Sequence, residues 1–450
     1  MTDATEVDVL VVGAGPACLT AAAELRRLGV GRVLVTDREA QPGGVPRHSQ
    51  HTGYGLRDRH RVLTGPAYAR ALAEAARAVG AEVRPGCTVT GLQVGAAGAP
   101  PADESGPDRE RPAAVVNADE PRCDRERLAA VVTSARGVQT VRPAAVLLAT
   151  GCRERPRSAR LVPGDRPAGI MTTGELQQRV YLNGERLSGR ALVVGAEHVA
   201  FSAAVTLAHA GARVIALVTD LERHQSYAAF RAGAALRWRT PVWTSAVVTR
   251  IDGPGGRLAG VEIADVGGGN PRYVPCELIV FTGDWIPDHA LARSAGLTID
   301  PGTSGPAVDT ALATSSDGVF AAGNLVHAAE TADIAALSGR HAARQIAAYL
   351  GGRPAPAAGR PPRVPLEVAT PLRWISPNAV TPGCPPPLGR FTLRTAEFRR
   401  PASLEVRQAG RLLARSRPRR LIPGRPVRLA AGWLAAVDPA AGPVRVAVSP

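Results

Sequence analysis

Val7-Asp8-Val9-Leu10-Val11-Val12-Gly13-Ala14-Gly15-Pro16-Ala17-Cys18 is the stretch that decides the fold of this chain. A short β-branched run ends at a glycine, and an alanine-rich helical segment follows from Pro16 to Leu28. A second apolar run, Arg32–Thr36, completes a strand–helix–strand opening. Gly13 permits the tight turn, and Gly15 lets the backbone approach a pyrophosphate. Ala14, Pro16 and Ala17 form the turn and the first helical positions, where free N–H groups and the positive end of the helix dipole face that anion. Cys18 takes the third glycine position with a small side chain. Asp37, ending the second strand, is placed to accept hydrogen bonds from an adenosine ribose, with Arg38 beside it. A glycine turn in an empty nucleotide fold is the competing reading, and the strand–turn–helix setting favours the nucleotide.

Outward from this unit, a helix is expected over Pro66–Val79, with strands near Glu82 and over Thr88–Val94, Leu128–Thr133 and Ala144–Ala149. Residues 95–124 have no periodicity and read as a flexible surface insertion. A second unit begins at Arg190: strand Ala191–Val194, turn at Gly195, helix Val199–Ala210, strand Arg213–Val218. The runs Ala246–Ile251, Leu258–Ile263 and Glu277–Phe281 would close it. The strand Gly318–Ala322 and the helix Thr331–Leu350 would return to the first unit. The fold class is therefore α/β, two interleaved Rossmann-like domains followed by a small C-terminal β-rich domain. The first domain takes residues 1–155 and 289–350, and the second takes 156–288. A Pro/Gly-rich linker spans 351–365, and the alternating runs of 366–450 read as a small antiparallel domain.

Composition narrows the functions. The 450 residues are 45% hydrophobic, which fits a folded multi-domain chain. No apolar run is long enough to span a bilayer, and strand-like sequence from Val7 leaves no room for a secretory leader, so a cytoplasmic location is expected. The formal net charge is +15, yet every one of the 54 basic residues is arginine and they are scattered among acids. That pattern argues against nucleic acid as partner. Without lysine there is no Schiff-base or P-loop lysine. The six cysteines form no close pair, and neither a metal site nor a redox dithiol is expected from their spacing.

Gly13–Cys18, Asp37 and Gln41-Pro42-Gly43-Gly44 resemble the FAD-binding start of the pyridine nucleotide–disulfide oxidoreductase superfamily. Leu147-Leu148-Ala149-Thr150-Gly151 resembles the segment preceding the crossover into the second domain, and Val280-Phe281-Thr282-Gly283-Asp284 the segment on the way back. Val319–Asn324 resembles the last flavin-contacting segment, with Asn324 where the family usually has Asp. The resemblance implies FAD as cofactor, held by these residues, including Gly43, Gly44, Thr150, Gly151, Gly323 and Asn324. It also implies that the helix starting at Thr331 points its N-terminus at the flavin. Narrower phrases, Gly43–His48, Gly53–Asp58 and Gly323–His327, resemble a branch containing the FAD subunits of opine oxidase, hydrogen cyanide synthase and dye-linked amino-acid dehydrogenases, related to sarcosine oxidase α chains.

Two departures matter. Disulfide reductases of the superfamily carry a cysteine pair after the Gly-Gly, where this chain has Pro46-Arg47-His48-Ser49-Gln50-His51. Disulfide reduction by an internal dithiol is therefore not expected. The second turn, Gly195-Ala196-Glu197-His198-Val199-Ala200, sets a carboxylate where a pyrophosphate would lie. Asp220 could still meet a ribose, and Gly195, Glu197, Asp220 and Gly283 mark the NAD(P)H site that would exist there. A domain kept for shape or partner contact is the alternative. Arg47, His48 and His51 are candidates for substrate-carboxylate binding or proton transfer, and His327 is a further candidate near the flavin. The branch implies an FAD-dependent oxidoreductase acting on an amine or amino-acid (opine-like) substrate. Alternatively it relays that substrate's electrons with a partner, a second flavoprotein or an iron–sulfur subunit. Two other readings stay open: an NAD(P)H-dependent flavin reductase, and a non-catalytic FAD-bound scaffold subunit.

Overall fold

The computed structural model describes residues 4–94, 128–226, 240–328, 330–351 and 362–449. The insertion at 95–124 lies outside the described residues, as do 352–361 of the expected linker.

The first strand, Thr5–Val12, is buried on both faces, with Val9, Leu10 and Val11 fully inaccessible, as its unbroken apolar run requires of a central parallel strand. It pairs in parallel with Val33–Asp37 on one side and with Gly137–Leu148 on the other. Glu82–Pro85 extends the sheet beyond Val33–Asp37, and Val319–Ala321 returns from far along the chain to pair with Val146–Leu148. The strand Gly137–Leu148 has a double role. Its second half belongs to the parallel sheet, and its first half pairs antiparallel with Leu128–Ser134, which pairs with Cys87–Val94. Its expected start at Ala144 is too late because Gly137–Arg142 mixes polar residues with only two valines, Val141 buried and Val138 exposed, and so carries no continuous apolar run. Helices Pro16–Arg27 and Ala332–Leu350 pack against one another. Their crossing depends on Gly339, where a Cβ would stand 2.0 Å from the Ala17 carbonyl oxygen.

The second sheet is parallel, in the order Ile170–Thr172, Leu278–Phe281, Arg190–Val194, Arg213–Val218 and Val242–Trp243, with helix His198–Ala210 following its Arg190–Val194 strand. The two chain crossings between the units run side by side, Cys152–Glu154 pairing antiparallel with Trp285–Pro287. The C-terminal region forms one sheet around Arg399–Gln408 and Val444–Ser449 and a second of Leu372–Ser376, Arg390–Thr395 and Val427–Ala430. Both contribute to one apolar cluster that includes Phe391, Leu404, Val406, Val446 and Trp433. The pairing is antiparallel except where Leu366–Val368 runs parallel to Val444–Val446. The first strand of this region starts at Val364, inside the segment expected to be linker. No helix among the described residues is long and apolar enough to cross a membrane.

Candidate functional site

The glycine turn builds a cradle at the carboxyl end of the first sheet. Gly13 has φ +105°, donates its N–H to the Thr36 carbonyl at 2.8 Å, and could carry no Cβ without meeting the Ala149 carbonyl oxygen at 2.8 Å. Gly15 is different. It is extended, and a Cβ there would meet nothing within 4 Å, so the turn opens onto empty space. No side chain caps the helix that Gly15 starts, which leaves its first N–H donors facing that space. Gly43 donates to the Ala14 carbonyl at 2.8 Å, and Gly44 lies so near that its Cβ would sit 3.0 Å from the Gly15 Cα. Asp37 accepts from the Ala14 N–H and, at 2.8 Å, from the Glu39 N–H. A carboxylate has about four acceptor positions, so these bonds leave capacity for a ribose hydroxyl. The open turn, uncapped helix and adjacent acid fit the adenosine and pyrophosphate of FAD.

Cys18 is fully buried, with its thiol donating to the Ala149 carbonyl at 3.3 Å. Burial, reinforced by Asp37, pushes its pKa far up, so the thiol is inert and serves packing. Thr150 donates to the Asp288 carbonyl at 2.7 Å, and Gly151 accepts from the Asp288 N–H. Arg38 is exposed and pairs with the Asp288 carboxylate at 3.5 Å. These residues tie the outgoing crossing to the returning one. Gly323 reaches the cradle, its would-be Cβ 2.9 Å from the Ala17 Cβ. The Asn324 amide instead closes its own loop, accepting from the Glu330 N–H at 3.0 Å and donating to the Glu330 carbonyl at 3.2 Å. Thr331 is the N-cap residue of Ala332–Leu350, with its hydroxyl bonded to Asp333. Asp333 also accepts from Arg57, and the neighbouring buried Asp58 accepts from Tyr68 at 2.7 Å. Burial, helped by Asp333, raises the Asp58 carboxyl above the usual range. Nothing in the sequence spacing links Asp58, Tyr68 and Asp333.

The four catalytic candidates do not converge: no hydrogen bond or ring contact joins any two of them among the described residues. Arg47 folds back on its own loop, donating to the Gln41 carbonyl at 2.8 Å and pairing with Glu39 at 3.7 Å. His48 is buried, faces Gln177 of the second domain, and is held below its ordinary pKa chiefly by that burial. His51 is exposed and stacks on Tyr54 at 5.3 Å. His327 lies beneath the C-terminal domain, its ring 5.2 Å from that of Trp374, with burial driving its pKa down to about 4. Next to it the buried Glu330 carboxylate binds Arg428 at 2.6 Å and Arg394 at 3.6 Å. The C-terminal residues Trp374, Arg390, Arg394 and Arg428 are invisible to motif reading, since they lie in strands whose only sequence signal is alternation.

The second turn keeps the backbone of the first and loses its opening. Gly195 has φ +141°. Glu197, at the position matching Gly15, turns its carboxylate inward between Gly195 and Gly283, whose Cβ atoms would stand 2.7 and 3.0 Å from its oxygens. Burial raises its pKa, against the opposing pull of Thr282 and Arg160. Arg160 donates to the carbonyls of Thr282 and Gly283 at 2.8 and 3.0 Å and closes the same crevice. The Asp220 carboxylate takes a 3.5 Å bond from Thr219. A loop of the C-terminal domain lies alongside, with Arg425 donating to the Gln225 carbonyl.

Residues 7–339 match the model of the family described as pyridine nucleotide-disulphide oxidoreductase. An opine oxidase subunit of Agrobacterium tumefaciens (strain Ach5) is 32% identical over 237 residues, 51% of this chain and 39% of that protein. The alpha subunit of sarcosine oxidase from Corynebacterium sp. (strain P-1) is 28% identical over 284 residues, 62% of this chain and 26% of that protein. The chain thus spans well under half the length of either relative. Among solved structures, thioredoxin reductase of T. acidophilum superposes with a TM-score of 0.58 at 19% identity, covering 76% of this chain and 98% of that one. A NAD-dependent persulfide reductase from A. fulgidus gives 0.53 at 17% identity, covering 90% and 68%. At such identities the structural likeness is one of fold.

Proposed function

The chain belongs to the pyridine nucleotide-disulphide oxidoreductase family, an FAD-binding oxidoreductase family, and from that premise we propose that it oxidises the C–N bond of an amine or amino-acid substrate of the opine type, alone or within a complex. The observation that carries this reading is the segment after Gly44. It carries Arg47, His48 and His51 and no cysteine, so it offers no internal dithiol, and Arg47 packs against Gly43 of the cradle. Among the described residues, Cys18, Cys87, Cys152, Cys276 and Cys384 form no disulfide and lie in separate segments of the chain. Similarity to an opine oxidase subunit and a sarcosine oxidase subunit supports the substrate class, and that both relatives are subunits supports a partner chain. When bound, the flavin supplies the two-electron acceptor for C–N oxidation. The chain's residues would position the cofactor through Gly13–Cys18, Asp37, Gly43, Gly44 and Gly323. The Thr331–Asp333 helix start would meet its ring system.

The filled second cradle argues against NAD(P)H as the electron source and against the flavin-reductase alternative. The scaffold-subunit alternative is separated by turnover. FAD-loaded protein should reduce a dye acceptor with at least one of proline, sarcosine or an opine. Absence of turnover with all three, for the chain alone and in complex with its co-purifying partner, overturns the reading.

A further inference from the structure

The joint between the C-terminal domain and the flavin-contacting segment encloses a cavity of about 40 Å³. Gly323, His327 and Ser338 line it from the first domain, and Ser376, Arg390 and Arg428 from the C-terminal domain. That volume holds about three water-sized spheres, the size of a carboxylate group. The charges around it do not balance. Arg428 and Arg394 share the single carboxylate of Glu330. Arg390 makes no ion pair and no side-chain hydrogen bond among the described residues, and its Nε is buried without a partner. Burial and the nearby charge of Arg428 pull the Arg390 pKa down, only partly offset by the Glu330 carboxylate. His327 is held neutral and adds no compensating charge, and its buried Nδ1 also lacks a partner. A half-buried guanidinium with no direct ion pair is costly, since Glu330 is already taken by Arg394 and Arg428, and a planar oxyanion is the ligand that matches its fork of donors.

We propose that this cavity is a carboxylate-binding site, with Arg390 as the charge partner and the hydroxyls of Ser376 and Ser338 completing it, and that its ligand is the carboxylate of a small amino-acid-like substrate. The proposal rests on the amine-oxidation reading for the identity of the ligand. The cavity itself does not depend on that reading. It assigns the C-terminal domain a part in substrate recognition, because Arg390 and Ser376 come from that domain. Gly323 belongs both to the cavity wall and to the cofactor cradle, which brings the two sites within one residue of each other.

The test uses the FAD-loaded full chain and its Arg390→Gln and Arg390→Lys variants, with melting temperature read at constant ionic strength. The probes are acetate, ethylamine and chloride. Acetate should raise the melting temperature of the unmodified protein in a saturable way, while ethylamine and chloride do not. In Arg390→Gln the acetate affinity should fall at least about tenfold. Arg390→Lys should retain part of it, and both variants should keep a full complement of FAD. A second variant, Ser376→Ala, should weaken acetate by a smaller factor and serves if Arg390→Gln does not fold. No acetate effect on the unmodified protein, an equal effect of chloride, or an unchanged effect in Arg390→Gln overturns the proposal. Acetate binding through Arg390 without amino-acid turnover would leave the site standing and remove the catalytic reading. Turnover without acetate binding would do the reverse.

Discussion

The turn at Gly13–Cys18 and the turn at Gly195–Ala200 start from the same architecture, a buried parallel strand delivering the N-terminus of a helix to the edge of its sheet. Both open with a glycine at positive φ, 105° in one and 141° in the other. They part at the next position but one. Gly15 has nothing within 4 Å of where a side chain would go, whereas Glu197 fills the matching space with its own carboxylate, packed between Gly195 and Gly283. A helix N-terminus attracts anions, and in the second turn the space for one is taken by the Glu197 carboxyl. The same fold thus yields a cradle that fits a dinucleotide and one closed by the Glu197 side chain together with Arg160.

The largest effect that would break this comparison comes from closing the open turn. Gly15→Leu puts a side chain into the empty space without backbone strain. FAD affinity should fall by about four orders of magnitude, read as flavin lost on gel filtration with the circular dichroism preserved. Next is the joint that holds the C-terminal domain to the flavin side. Glu330→Ala leaves Arg394 and Arg428 without their carboxylate and should cost about 4 kcal/mol in chemical denaturation.

His327 gives a pH signature on that same side. Its folded pKa of about 4 lies below its ordinary 6.5, so the unfolded chain binds the extra proton as pH falls between those values. Stability should therefore drop by about 3 kcal/mol across that window, and His327→Asn should flatten the slope. Glu330, whose carboxyl is opposed by burial but held below the usual range by its positive neighbours, adds loss in the same direction at still lower pH. Glu197 gives the opposite slope on the second side. Its raised folded pKa means stability is lost as pH rises from the usual carboxylate range through the raised value. Glu197→Gln should remove that loss, so the variant's stability should fall less than that of the unmodified protein as pH rises, with little change in acid.

How far these differences can be read without a structure depends on their range. The first unit is local. The strand from Val7, the helix from Pro16 and the acid at Asp37 sit close in sequence, and the folded positions follow them to within a few residues. The helix expected from Thr331 begins at Ala332. Cys18 meets the strand backbone at the Val12 and Ala149 carbonyls as a small residue in the third glycine position should, whereas the close contact between the two helices is made by Gly339, far along the chain. Arg47 reads as free for a substrate because its sequence neighbours hide the backbone carbonyl of Gln41, which it binds after the loop turns back. His327 follows the flavin segment in sequence, yet its surroundings come from Trp374, Arg394 and Arg428 of another domain. No spacing rule reaches across that separation. Glu197 is the exception, since a carboxylate in a glycine position announces a conflict by itself.

The contrast between an open and a self-filled cradle is tested most directly by anaerobic rapid mixing of the FAD-loaded protein with NADH and with NADPH, followed by the flavin absorbance band. The oxidised spectrum should persist with both nucleotides and bleach with the amine substrate. Rapid bleaching by either nucleotide would contradict the account, because it would show that the crevice between Gly195 and Gly283 accepts a dinucleotide despite Glu197.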